Sequence, residues 1–148
     1  MIIFVEAKIK DVVFLGRRYA WPRPRLCPRC HDSRVWGHGF VSAYFDGISE
    51  GVLLKRYRCP GCGCVMRLRP RGYFPRFQAS IARIRFCLSH RLSRGRWPPG
   101  LSCSRQRHWL RALRRKIIAY LGDTWNQGIM AAFEFLWRQG MIPVSRCM

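Results

Sequence analysis

Acidic residues are scarce in this chain: seven Asp and Glu stand against 28 Lys and Arg in 148 residues, for a formal net charge of +21 at pH 7. Between Glu50 and Asp123 there is no acid at all, while 18 basic residues occur from Lys55 to Lys116. A fold gains no stability from so much self-repulsion, so the imbalance points to a polyanionic partner. Long apolar runs are missing too. No run reaches the roughly 18 to 20 residues of a spanning helix, and the opening MIIFVEAKIK meets charge too early for a secretory signal. Nucleic acid is therefore the expected partner and a membrane is not. The length also excludes a large enzyme and leaves room for one compact unit or two small modules.

Among the residues that are present, the cysteines are the most informative. There are eight, in a chain without a recognisable export signal, and half of them fall in metal-binding spacing, which points to a reducing cytoplasm and zinc. Cys27 and Cys30 form CPRC, and Cys59 and Cys62 form CPGC. In each pair the two intervening residues let the chain turn so that both sulfurs face one point, and two such turns surround one zinc ion tetrahedrally. With four thiolate ligands no position is left open for catalysis, so a structural Zn2+ is expected. The competing reading is a set of reduced structural cysteines or a disulfide pair. His31 and His38 lie near the cluster, and with four cysteines available they are read as turn and strand residues. Cys64 offers a shifted C-x4-C register, and the sequence leaves the choice between Cys62 and Cys64 open. Cys87, Cys103 and Cys147 lack partner spacing.

The 28 residues between the two pairs exceed the roughly 15 to 20 of the usual template, and they have hairpin character. Arg34 to Tyr44 alternates in part, Asp46-Gly47 supplies turn chemistry and Leu53 to Arg58 returns to the second pair. Val65 to Leu68 is expected as a third strand. Upstream, residues 2 to 5 and 12 to 15 are short apolar runs, expected as strands or an extended arm. Trp21-Pro22-Arg23-Pro24-Arg25 is a stiff connector into the first turn. The tail from Pro143 is expected to be frayed.

Beyond the ribbon, Arg67, Arg69 and Arg71 alternate on a segment broken by Pro70, Gly72 and Pro75. Tyr73, Phe74 and Phe77 interleave with them, either as a stacking surface for unpaired bases or as a packing anchor. Apolar residues at 77, 81, 84, 88 and 92 mark a first helix, which ends at RGRWPPG. A second, capped by a serine at 102 or 104, runs to Leu121. Its Trp109, Leu110, Leu113, Ile117, Tyr120 and Leu121 share one arc, and Arg107, Arg111, Arg114 and Arg115 share the opposite side. The short break between these helices suggests a helix-turn-helix. In that arrangement Gln106 and Arg107 would reach base edges while Arg111, Arg114 and Arg115 hold phosphates. A third helix is expected from Thr124 to Gln139. The expected architecture is α+β, with an N-terminal arm and zinc ribbon in residues 1–70 and a basic three-helix, helix-turn-helix-like module in 71–148.

CPRC, GHGF, RYRCPGCG and the Pro-rich exit together resemble the zinc ribbons at the front of bacterial insertion-sequence transposases and their orphan relatives. GLSCSRQRHWLRAL is similar to the helix-turn-helix stretches of the same proteins. The resemblance covers roughly residues 20 to 121 and implies metal-ligand roles for the four cysteines only. Such transposases cut DNA with a carboxylate triad holding two metal ions, whereas residues 51 to 148 here hold only Asp123 and Glu134. The resemblance therefore implies a targeting module without the catalytic part: a non-enzymatic, nucleoid-associated binder of double-stranded DNA, acting with a separate transposase or with a second copy of itself. The alternatives are a protein for single-stranded nucleic acid or RNA, and a subunit of a nuclease or transposase complex that is not catalytic on its own.

Overall fold

A computed structural model describes residues 1–146 of the chain, which forms two compact units, Met1–Ser80 and a second beginning at Ile81. No helix among the described residues is long and apolar enough to cross a membrane.

The first unit contains β1 (Ile2–Val5), α1 (Ile9–Leu15), a 3-10 turn (Gly16–Arg18), β2 (Trp36–Ala43), β3 (Val52–Arg58) and β4 (Val65–Pro70). The four strands form one sheet in the order β1-β4-β3-β2. β2, β3 and β4 pair antiparallel in sequence order, and β1 adds in parallel along the free edge of β4, with Ile2 opposite Arg67 and Phe4 opposite Arg69. The core follows from alternation along the strands: Val52 and Leu54 of β3 and Met66 and Leu68 of β4 are buried with Val12, Trp21, Val35 and Phe45. Each such side chain contributes roughly 1.5–3 kcal/mol on burial. The GHGF segment has a local cause. The β2–β3 register shifts between Gly37 and Phe40, and Gly39 there takes φ 72°, a left-handed conformation that glycine adopts without steric penalty.

Two expectations change in this unit. Residues 12–15 belong to the helix α1, not to a strand or arm: Val12 is its buried residue, and Gly16 at φ 54° ends it by donating its N–H to Val12 O. The compact unit also continues past Pro70. Residues 71–80 return to the sheet, where the Asp46 N–H donates to Gln78 O at 3.1 Å and Tyr73 meets Phe45 edge-on at 4.6 Å.

The second unit holds α2 (Ile81–Arg94), α3 (Cys103–Lys116) with a π-helical last turn (Ile117–Leu121), and α4 (Ile129–Arg138). Ile84, Leu88, Trp109, Leu113, Phe133 and Leu136 form its buried centre. The first helix begins at Ile81 and not at Phe77, and Leu92 and Tyr120 are exposed rather than on the packed stripe. Ser102 is the capping serine, its Oγ accepting the Arg105 N–H at 3.3 Å. α4 starts at Ile129, not Thr124, because Gly128 turns the chain at φ 90° and Trp125 Nε1 donates to Gly128 O at 2.9 Å. The break between α2 and α3 spans residues 95–102, longer than the roughly 3–4 residues of a tight helix-turn-helix connection.

The segment expected to fray is packed as far as it is described. Val144 is fully buried, and the Lys116 ammonium donates to Ser145 Oγ at 2.9 Å. Cys147 lies outside the described residues.

Candidate metal centre and basic helix face

Cys27 and Cys30 sit on the turn leading toward β2, and Cys59 and Cys62 on the turn between β3 and β4. Their four sulfurs lie within 4.8 Å of one another, so the group can hold a metal ion. Cys27 Sγ is 3.6 Å from Cys62 Sγ, and Cys30 Sγ is 3.5 Å from Cys59 Sγ. A tetrahedral centre with metal–sulfur bonds of about 2.3 Å has sulfur–sulfur edges of about 3.8 Å, and these two edges lie close to that value. Cys64, His31 and His38 stand outside this group. The register left open in the sequence therefore falls on Cys62.

The two turns repeat one hydrogen-bond pattern. Cys27 N–H donates to Asp32 O and His31 N–H to Cys27 O; in the second turn Cys59 N–H donates to Cys64 O and Gly63 N–H to Cys59 O. The fifth residue of each turn is left-handed, His31 at φ 58° and Gly63 at φ 70°. Backbone donors also reach the sulfurs, with Arg29 N–H 3.4 Å from Cys27 Sγ. The turns approach closely at Gly61, where a Cβ would lie 2.7 Å from Asp32 Oδ2. Asp32 itself accepts from the Arg34 backbone at 2.8 Å and side chain at 3.0 Å, and these bonds hold its carboxyl below the usual range.

Burial pushes the Cys27 thiol up, but backbone donors from Cys30 and Arg29 and the neighbouring thiols outweigh it and lower it to about 6. At Cys30 the Asp32 backbone donor acts downward, and the Cys59 and Cys62 thiols together with desolvation push the group up to about 12. Thiolates this close repel one another unless a cation stands between them.

The residues expected at a nucleic-acid surface divide by burial. Arg107, Arg111, Arg114 and Arg115 are all exposed on α3, and His108 joins them. Asp32, Glu6 and Glu134 form ion pairs with Arg34, Arg71 and Arg85, and none of these three arginines lies on α3. Gln106 is not on this face. It is fully buried, its Nε2 donating to Leu101 O at 2.9 Å and Pro98 O at 3.1 Å, so it fixes the connection before α3 and is withdrawn from the surface. Arg69 is also withdrawn: it is 5% exposed, donates to Phe77 O and lies 4.9 Å over the Phe45 ring. Burial lowers its pKa, with Arg67 beside it acting in the same direction. Arg71 is exposed and pairs with Glu6 at 2.9 Å, while Arg67 is half-buried and opposite Arg56 in the β3–β4 register. The three alternating arginines thus form no common strip.

The aromatics of 73–77 are packed rather than displayed, with Phe74 buried and 5.8 Å from Phe77 between ring centroids. Sequence reasoning missed Lys116, which is buried and bound to Ser145, and Arg146, which shares a concavity with His108, Arg111 and Arg115. The only available signal was the basic character of both segments. Compared with known proteins, the chain matches no protein-family model, no curated protein and no solved structure.

Proposed function

We propose that this chain is a non-catalytic binder of double-stranded DNA, in which the four cysteines hold one structural zinc and the exposed face of α3 lies along the phosphate backbone. The observation that carries the reading is that face: Arg107, His108, Arg111, Arg114 and Arg115 are exposed together on one helix, without a carboxylate partner among the described residues. Guanidinium forks suit phosphate oxygens in geometry and are weakly hydrated, so their desolvation against an anionic rod is inexpensive. Zinc is favoured by an all-thiolate set at tetrahedral spacing, and all four positions are filled, which leaves the metal no catalytic role. Glu134 is in an ion pair with Arg85 at 2.7 Å, which supports a role for it in the helical core rather than in metal-dependent cleavage.

The likeness of the ribbon segments to transposase ribbons supports a targeting role beside a separate catalytic subunit or a second copy. With Gln106 buried, base reading on α3 rests on Arg107, and helix-turn-helix docking is retained in the looser form that the 95–102 connection permits. The deciding experiment is a salt titration of binding to matched duplex and single-stranded probes. Six phosphate contacts imply a log–log slope of about −5 on duplex. A flat response, or tighter binding to the single strand at every salt concentration, overturns the reading.

A second reading, recognition of single strands, draws on Trp36. This ring is 60% exposed on the edge strand β2, opposite exposed Arg58 of the neighbouring β3, an aromatic and a cation side by side at the end of the hairpin.

A further inference from the structure

We propose that the concavity between α3 and the C-terminal segment is a binding site for a phosphate group. This goes further than the general basic face and rests on the reading of that face as a polyanion surface. The concavity measures about 300 Å³ and is lined by His108, Arg111, Ala112, Arg115 and Arg146. Three guanidinium groups and an imidazole thus surround one volume.

Its construction follows from the sequence. His108, Arg111 and Arg115 are spaced by three and four residues and lie on one stripe of α3, and Ala112 beside them carries only a methyl group, which leaves the hollow open between longer side chains. Arg146 comes from another part of the chain and is held there by its neighbours. Val144 is fully buried, Ser145 Oγ accepts from Lys116 Nζ at 2.9 Å, and Ser145 Oγ in turn donates to Ile142 O at 3.0 Å. Arg146, the next residue, is therefore brought to the pocket by a docked turn.

Like charges at this spacing repel, and no carboxylate among the described residues lines the concavity to relieve them. An anion with several acceptor oxygens relieves all of them at once. A phosphate meets that requirement in charge and in shape, since each guanidinium can donate two parallel bonds to it. The volume admits a phosphate with its attached sugar but not a duplex, so the group enters as a protruding phosphate of a polynucleotide or as a free ion.

Two titrations of the full chain test the site and separate the sources. In the first, inorganic phosphate is added while the His108 ring resonances are followed by NMR. The expected result is a saturable shift that Arg146→Gln and Arg115→Gln abolish and Arg107→Gln, outside the pocket, preserves. A linear, non-saturating drift, or equal loss in all three variants, overturns the site and leaves the duplex-binding reading standing. In the second, a mixed-sequence duplex is titrated at fixed salt. If a polynucleotide phosphate is the ligand, Arg146→Gln lowers affinity about tenfold and inorganic phosphate competes; if only the first titration responds, the site takes free phosphate. Wild-type chain that binds phosphate saturably but no duplex would overturn the duplex reading and keep the site. Arg146 is exposed, so its replacement leaves the core intact, and Ser145→Ala should weaken the phosphate response partially by releasing the turn that positions Arg146.

Discussion

His31 stands where its counterpart in the second metal turn is a glycine. Both residues are left-handed, and both donate their N–H to the carbonyl of the first cysteine of their turn, so the backbone demand is the same and the side chain is incidental. A non-glycine residue in this region carries a penalty of roughly 1–2 kcal/mol. Glycine removes it but adds freedom to the unfolded chain, roughly 0.4–1 kcal/mol in the other direction. His31→Gly should therefore keep full metal content and match or exceed wild-type stability by up to about 1 kcal/mol, read from the denaturant midpoint of the metal-loaded protein. Loss of metal in this variant would mean that the imidazole is a ligand and that the four-thiolate assignment is wrong. Arg69 makes a complementary point. In the sequence it is one of three evenly spaced arginines, and only the return of residues 71–80 over the sheet makes it a buried tie to Phe77 O instead of a surface cation.

At the level of elements, α3 is held at its start by Gln106, whose amide donates to two carbonyls of the preceding connection. Truncation strands both acceptors in a buried place and leaves a small cavity. Gln106→Ala should destabilise the protein by about 1–3 kcal/mol with an unchanged m-value, and should alter duplex binding only in proportion to the unfolded fraction. A full-strength fold with lost discrimination between duplex sequences would instead put Gln106 in contact with bases. The metal turns and the β2–β3–β4 meander were legible in the sequence because both depend on local spacing: cysteines two apart, alternating strands and glycine at the bends. α3 and its arginine face were legible from periodicity alone. What escaped depends on distant partners. Gln106 looked like a base reader because it lies in the first turns of α3 and its amide suits a base edge, whereas its burial is set by Pro98 and Leu101. Residues 12 to 15 suggested a strand or an extended arm as a short apolar run, yet one packed position at Val12 and a terminating Gly16 suffice for a short helix. The docked turn at 142–145 was invisible because it needs Lys116, a charged residue with no sequence signal of burial.

For the whole molecule, the division into two compact units implies two stabilities of different origin. The first unit has a thin sheet whose core includes Cys27 and Cys59, both fully buried, so its candidate metal centre and its hydrophobic centre are one structure. Metal binding in modules of this kind contributes on the order of 10 kcal/mol to folding. The second unit buries Ile84, Leu88, Trp109, Leu113, Phe133 and Leu136, and the four-cysteine group contributes nothing to that set. Its Cys87 is a packing residue, fully buried, with burial pushing its thiol pKa up. Exhaustive chelation should therefore unfold β2, β3 and β4 while α2, α3 and α4 persist. Hydrogen exchange should show protection lost at Leu54, Met66 and Leu68 and retained at Leu88, Leu113 and Phe133. Metal analysis before chelation should give one zinc per chain, near zero for Cys27→Ser or Cys59→Ser, and one for Cys87→Ser. If the helices lose protection together with the sheet, the units do not fold independently; if chelation leaves the sheet protected, the cysteines are packed as thiols and the metal reading falls.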